Sequence, residues 1–280
     1  MARAHVEFIQ AQVVPWSSGF TGGSREGVES KILSFDPDSG AMTAIVRYPP
    51  GWTHDAECLA ADEEFFVFEG TLVIGGLAYA PYHYAYLPSG HERGPAAAPD
   101  GAVVLTFFES APRPAEPGER FRENAGAVEC LDANVLAWGP GKDEPNLSGN
   151  RMSKTLRIDP DTEDRTWLST VGPGSRDEGD RARVETHPVV EEMYLLSGDL
   201  AGNAGLMKPG AYFWRPPGIR HGPYGSRTGF LSLFRCKDGP LVNFWSDDEV
   251  TFTYDPEHQP ALPPEFESLG REPWQGGAPY

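Results

Sequence analysis

Short runs of apolar and aromatic residues, each cut off by Gly, Pro or Asp, dominate the chain. Ala44–Tyr48, Phe65–Phe68, Thr71–Ile74, Tyr84–Leu87 and Val103–Phe108 are rich in branched and aromatic side chains and bounded by turn formers, which is the signature of strands. No stretch sustains the spacing of an amphipathic helix. Many short strands joined by Gly/Pro turns predict an all-β protein, a sandwich or a barrel.

The pattern occurs twice. Val6-Glu7 and Trp16 return as Val128-Glu129 and Trp138, an offset of 122. Ser30-Lys31 and Asp36-Pro37-Asp38 return as Ser153-Lys154 and Asp159-Pro160-Asp161, an offset of 123. From Glu57 onward the offset is 128: Glu57 maps to Glu185, Glu63-Glu64 to Glu191-Glu192, Gly70 to Gly198, Pro88 to Pro216 and Gly94-Pro95 to Gly222-Pro223. Such agreement at turn positions marks an internal duplication. The change of offset places five extra residues in the second copy between Gly174 and Glu185. That charged, glycine-bearing loop is a lid, a substrate contact or a tolerated surface insertion. The proline-rich segment Ala111–Arg120 reads as a linker, giving an expected division into residues 1–122, 123–250 and a proline-rich tail, 251–280.

Composition narrows the partners. The chain has 280 residues, enough for two domains with cores of their own. Its 41 acidic against 23 basic residues, a net charge of −18, argue against nucleic acid. No apolar run approaches the roughly 18 residues of a membrane span, and the opening Met1–Phe8 lacks the apolar core of a secretory signal, so a cytoplasmic location is expected. Three cysteines without CxxC spacing suggest free thiols.

Two linked motifs stand out in the second copy. Gly179 is followed after five residues by Glu185-Thr-His187, then by Glu191 and Gly198; Gly210 opens a second run through Pro216, Gly218 and His221. Together these resemble the paired motifs of the cupin superfamily, and the duplication makes the chain similar to two-domain cupins of the ChrR-like and acetylacetone dioxygenase-like groups. The resemblance implies two tandem jelly-roll β-barrels. It also implies a metal held by Glu185, His187, Glu191 and His221, with Glu185 standing where the family has its first histidine. Family dimers further suggest barrels packed through apolar sheet faces, with exchanged N-terminal strands possible, which leaves monomer and homodimer open.

The residues support a metal on their own chemistry. Two positions apart on a strand, Glu185 and His187 share a face. Glu191 starts the next strand, on a face continued by Met193 and Leu195, and His221 follows a tight Pro-Pro-Gly turn. Two imidazoles and one or two carboxylates converging from different strands suit a hard or borderline divalent ion. The alternative is a buried polar network without metal. The first copy has Glu57, Leu59, Glu63 and Arg93 at these positions, and Tyr82 in place of the glycine equivalent to Gly210. Leu59 cannot ligate, and Arg93 would neutralise Glu63 as a fixed cation, so one ion per chain is expected.

The resemblance leaves the chemistry open. A non-heme Fe(II) dioxygenase on a small organic substrate is the first reading, with Mn(II), Ni(II) or Zn(II) as other candidate ions. A redox-silent isomerase, cyclase or dehydratase with Glu185 as general base is the second, and a non-catalytic metal or small-molecule binder the third. Tyr212, Trp214 and Arg220 are the candidate substrate contacts. Tyr212 and Trp214 share one strand face and Phe213 and Arg215 the other, so only one pair looks inward.

Overall fold

The computed structural model describes all residues except 1–2, 20–24, 124–125, 141–150, 179–181, 272–275 and 277–279. Among the described residues there is no α-helix. The all-β expectation holds, and no helix is long and apolar enough to cross a membrane.

The chain divides into two compact units, one of residues 1–3 and 15–136, the other of residues 4–14 and 137–280. In the first, a seven-stranded antiparallel sheet runs in the order Val128–Asp132, His83–Leu87, Glu63–Gly70, Ala102–Phe108, Met42–Tyr48, Glu29–Phe35 and Ser17–Ser18. It packs on a four-stranded sheet containing Trp52–His54 and Leu72–Ile74. Tyr48, Phe65, Val67 and Val104 meet Trp52, Leu72, Ile74 and Tyr79 in the core between them.

The second unit repeats this plan with Val6–Gln10, Ala211–Arg215, Val190–Gly198, Phe230–Lys237, Arg165–Val171, Met152–Ile158 and Gly139–Pro140. Its core joins Phe8, Trp167, Met193, Leu195, Phe213 and Phe234 to Leu200 and Met207. The duplication extends to local geometry. Gly70 and Gly198, equivalent at offset 128, both have positive φ, and a Cβ at either would lie within 2.0 Å of the carbonyl oxygen of Gly101 or Gly229. Backbone approach that close needs glycine. Gly210 also has positive φ, and its counterpart Tyr82 keeps that conformation at φ 67° although it carries a side chain.

The division does not fall at 122/123, because each copy's first strand joins the sheet formed by the other copy. Val6 and Ile9 pair with Trp214 and Tyr212; their images Val128 and Leu131 pair with Tyr86 and Tyr84. The linker segment is part of the first unit, where Leu59 bridges Pro114 and Ala115 N–H donates to Cys58 O. The tail belongs to the second unit: Glu7 bridges Ala261, and Gln259 N–H donates to Ala204 O at 2.9 Å.

Candidate metal centre

Three segments of the second unit bring the predicted ligands together. Glu185 lies on Arg183–Thr186, with His187 just beyond its end. Glu185 and His221 form an isolated antiparallel bridge through backbone bonds of 2.8 and 3.1 Å. Glu191 sits on Val190–Gly198 directly across from Arg215. His187, Glu191 and His221 are buried and Glu185 is half-buried.

The imidazoles decide the chemistry. His187 Nδ1 faces Val242 O at 3.2 Å and His221 Nδ1 faces Ile219 O at 2.9 Å. A carbonyl oxygen only accepts, so each Nδ1 carries the hydrogen and each Nε2 presents its lone pair. The two Nε2 atoms lie 3.0 Å apart. Two lone pairs at that distance repel unless a proton or a metal ion lies between them. Nitrogen ligands each about 2.1 Å from one ion, at a right angle, are themselves about 3.0 Å apart. Glu185 Oε1 lies 3.8 Å from His221 Nε2, while Asn243 Nδ2 donates to Glu185 Oε2 at 2.8 Å. The amide thus holds one oxygen and turns the other toward the imidazoles. Glu185, His187 and His221 form a cluster of metal-ligating geometry among the described residues.

Glu191 is close but shared. Its Oε2 lies 3.5 Å from His221 Nε2 and 3.7 Å from His187 Nε2, and it accepts a 2.5 Å bond from Arg215 Nη1. The rest of that guanidinium is taken by Glu7, from the N-terminal strand, with Nη2 donating to Oε1 at 2.6 Å and Nε to Oε2. Nη2 also donates to the Tyr224 hydroxyl. Burial works against ionising Glu7, but Arg215 outweighs it and holds the carboxyl at about 2. Burial likewise opposes ionising Glu191, and the Arg215 charge keeps it below the usual carboxylate range. Burial and the Arg215 charge depress His221 to about 3, so its imidazole is neutral. Burial raises the Tyr224 hydroxyl well above its ordinary value, leaving it protonated.

Glu185, His187, Glu191, Arg215 and Tyr224 line a small cavity of about 50 Å³ with Arg151, Trp167, Phe213 and Phe234 among its other walls, room for a few waters or a small ligand. The expected substrate contacts are not in its lining. Phe213 and Arg215 take the inner face of Ala211–Arg215, so strand alternation turns Tyr212 and Trp214 outward. The Tyr212 hydroxyl donates to Glu192, itself bound by Arg235 at 2.6 Å. Arg220 is exposed and bonds Asp248. Gly179, the first glycine of the motif, lies outside the described residues. Glu7, Asn243 and Tyr224 carry no motif signal, and sequence reading missed them.

The first unit fills the equivalent position with guanidinium groups. Arg93 Nη1 donates to Glu63 Oε2 at 2.6 Å, with both side chains buried, as the sequence implied. Arg25 also reaches Glu63 through Nη1 and Nη2 at 2.7 and 2.6 Å. It further donates to Glu57 Oε1 at 3.0 and 2.7 Å and to the Tyr48 hydroxyl at 2.9 Å.

A family model described as a domain of unknown function, DUF4437, matches residues 9–238. The chain belongs to the DUF4437 family. No curated protein matches it in sequence. Among solved structures, a "putative dioxygenase" from Nostoc punctiforme is similar over 88% of this chain and 92% of its own, with a TM-score of 0.75 at 20% identity. A "putative glyoxylate induced protein" from Pseudomonas aeruginosa is similar over 90% and 94%, TM-score 0.61 at 16% identity. An oxalate decarboxylase from Lactobacillus farciminis, in complex with formate, is similar over 85% and 88%, TM-score 0.56 at 10% identity. At these identities the likeness is one of fold, and it makes this DUF4437 chain an all-β protein of cupin architecture.

Proposed function

We propose that this DUF4437 chain is a metal-dependent cupin enzyme, a non-heme Fe(II) dioxygenase acting on a small organic substrate. The observation that carries the reading is the pair of Nε2 atoms 3.0 Å apart, each with its Nδ1 facing a carbonyl oxygen. Glu185, His187 and His221 would hold the ion, with Glu191 within reach as a fourth ligand. Two imidazoles with carboxylate ligands suit Fe(II), and the three-residue set is the one that non-heme iron oxygenases use. The fold likeness to a protein described as a dioxygenase adds weight without deciding the activity.

When bound, the ion would supply O₂ and substrate activation at positions the protein leaves open. The chain's own groups do the rest. Asn243 orients Glu185 so that it presents one oxygen as a ligand, which favours ligation over a general-base role. Trp167, Phe213 and Phe234 give the cavity an apolar wall for the substrate's carbon skeleton, and Arg151 places a cation in the same wall for an anionic group.

The test is metal analysis of protein purified without chelators or affinity-column nickel, followed by anaerobic Fe(II) loading and O₂-uptake measurements. Small carboxylates, phenols and β-dicarbonyl compounds form the substrate panel. Expected are retained iron and substrate-dependent O₂ consumption that His221→Ala abolishes. Turnover that needs metal but no O₂ would replace the dioxygenase reading with the redox-silent one, and failure to retain any divalent ion would overturn both.

A further inference from the structure

The two units solve one electrostatic problem in opposite ways. In the first, Glu63 has both oxygens engaged by Arg25 and its Oε2 also by Arg93. Glu57 shares Arg25 and lies 3.9 Å from Arg93. Two carboxylates face two guanidiniums, and the cluster is neutral. In the second unit Glu191 stands at the position of Glu63 and meets one guanidinium, Arg215, through one oxygen. Its Nε and Nη2 donors are occupied by Glu7 and Tyr224. Within this network three carboxylates, Glu7, Glu185 and Glu191, face a single guanidinium, leaving two negative charges beside two imidazoles.

Buried excess charge is costly unless compensated, and two negative charges are what one divalent cation cancels. Without Glu7, the guanidinium would be free to turn both arms onto Glu191, as Arg25 does onto Glu63. Among the described residues of the first unit nothing equivalent is found: the image of Arg215 is Leu87, and the image of Glu7 is Glu129, which is exposed. The Glu7–Arg215 pair is specific to the unit with the histidines.

We infer that Glu7 is a positioning residue that occupies the Arg215 guanidinium, so that Arg215 meets Glu191 through one bond to Oε2 and that oxygen, which also faces both Nε2 atoms, can still serve a divalent ion. The inference rests on the metal reading above. It makes the N-terminal strand, remote in sequence from both motifs, a component of the metal centre.

Mn(II) binding to metal-free full-length chain, read from the electron paramagnetic resonance signal of the free ion, tests it, with folding followed by circular dichroism. Glu7→Gln should weaken binding by roughly 10–100-fold, the range for residues that orient metal ligands. Glu7→Gln combined with Arg215→Met removes one charge of each sign, restores two excess negative charges and should return affinity to near that of the wild type. A purely structural role for Glu7 predicts no such rescue. If Glu7→Gln alone fails to fold, the double variant decides by the same criterion. Wild-type affinity in Glu7→Gln, or no recovery or no fold in the double variant, overturns the inference while wild-type binding leaves the metal reading standing. Absence of Mn(II) binding by the wild type overturns that reading, and the inference with it.

Discussion

Removing Arg25 should damage the first unit more than removing Arg93, although only Arg93 occupies a motif position. Arg25→Met strips Glu63 of two of its three guanidinium bonds and Glu57 of both of those it receives at 3.0 and 2.7 Å. It also takes a donor from the Tyr48 hydroxyl, which is buried with them. Leaving a buried carboxylate under-compensated costs about 3–5 kcal/mol. Arg93→Met removes one 2.6 Å bond from Glu63, which keeps both bonds to Arg25. One charged hydrogen bond is worth about 1.5–3 kcal/mol. At roughly 3 °C per kcal/mol for a domain of this size, Arg25→Met should melt roughly 9–15 °C below wild type and Arg93→Met roughly 5–9 °C below. Differential scanning calorimetry of the full chain at neutral pH reads both. Replacing Glu57, Glu63 and both arginines by apolar residues of similar volume should recover most of the loss, since a buried ion pair adds little over good packing. An Arg25→Met protein that melts with the wild type, or one less damaged than Arg93→Met, would refute the idea that guanidinium groups stand in for a metal there.

Elemental analysis should return one tightly held divalent ion per chain, because in the first copy Leu59 and Arg93 stand where the second has His187 and His221; two ions would contradict it. Glu185→Gln should weaken metal binding markedly, since Glu185 Oε1 faces His221 Nε2, and Glu185→His should retain an ion while shifting preference toward metals that favour imidazole. Unchanged affinity in Glu185→Gln, with activity lost, would make it a base instead. Acid should weaken the first unit through Glu57. Burial opposes ionising that carboxyl, but Arg25 holds it below its ordinary value of 4.5. Its contribution is therefore complete above pH 4.5 and lost as the pH falls through the depressed folded value. Melting curves across that range should lose this component in Arg25→Met.

Much of this could be read from the chain alone, for identifiable reasons. Glycines at close backbone approaches, such as Gly70 and Gly198, cannot drift without clashing, so they kept the duplication visible. Glu185 and His187 share a face by strand alternation. The Arg93–Glu63 ion pair followed from a cation standing where a ligand was expected. Alternation fixes which side chains share a face but not which face looks inward, and so it could not choose between Tyr212 with Trp214 and Phe213 with Arg215 as the pair that lines the cavity. The first copy held the missing signal: Leu87, the image of Arg215, is buried, and Ala85, the image of Phe213, is in the core. Arg25 lies outside both motifs, and its counterpart at offset 123, Ser148, has no charge. Glu7 was hidden by topology, because no local pattern says which sheet will adopt an edge strand.

The exchange of first strands also sets a schedule. Val6 pairs with Trp214, so during synthesis this strand must wait for roughly 200 further residues, some 10–40 s at ordinary rates. Strands 17–132, together sufficient for the first sheet, are all made before that wait ends. Val6, Phe8 and Ile9, buried in the finished protein, stay unpaired meanwhile, the condition in which nascent chains stick to one another. Removing Val6–Gln10 therefore acts on a sheet that closes late. A second copy expressed alone would begin life with the place of its first strand vacant, and with no Glu7 to hold Arg215.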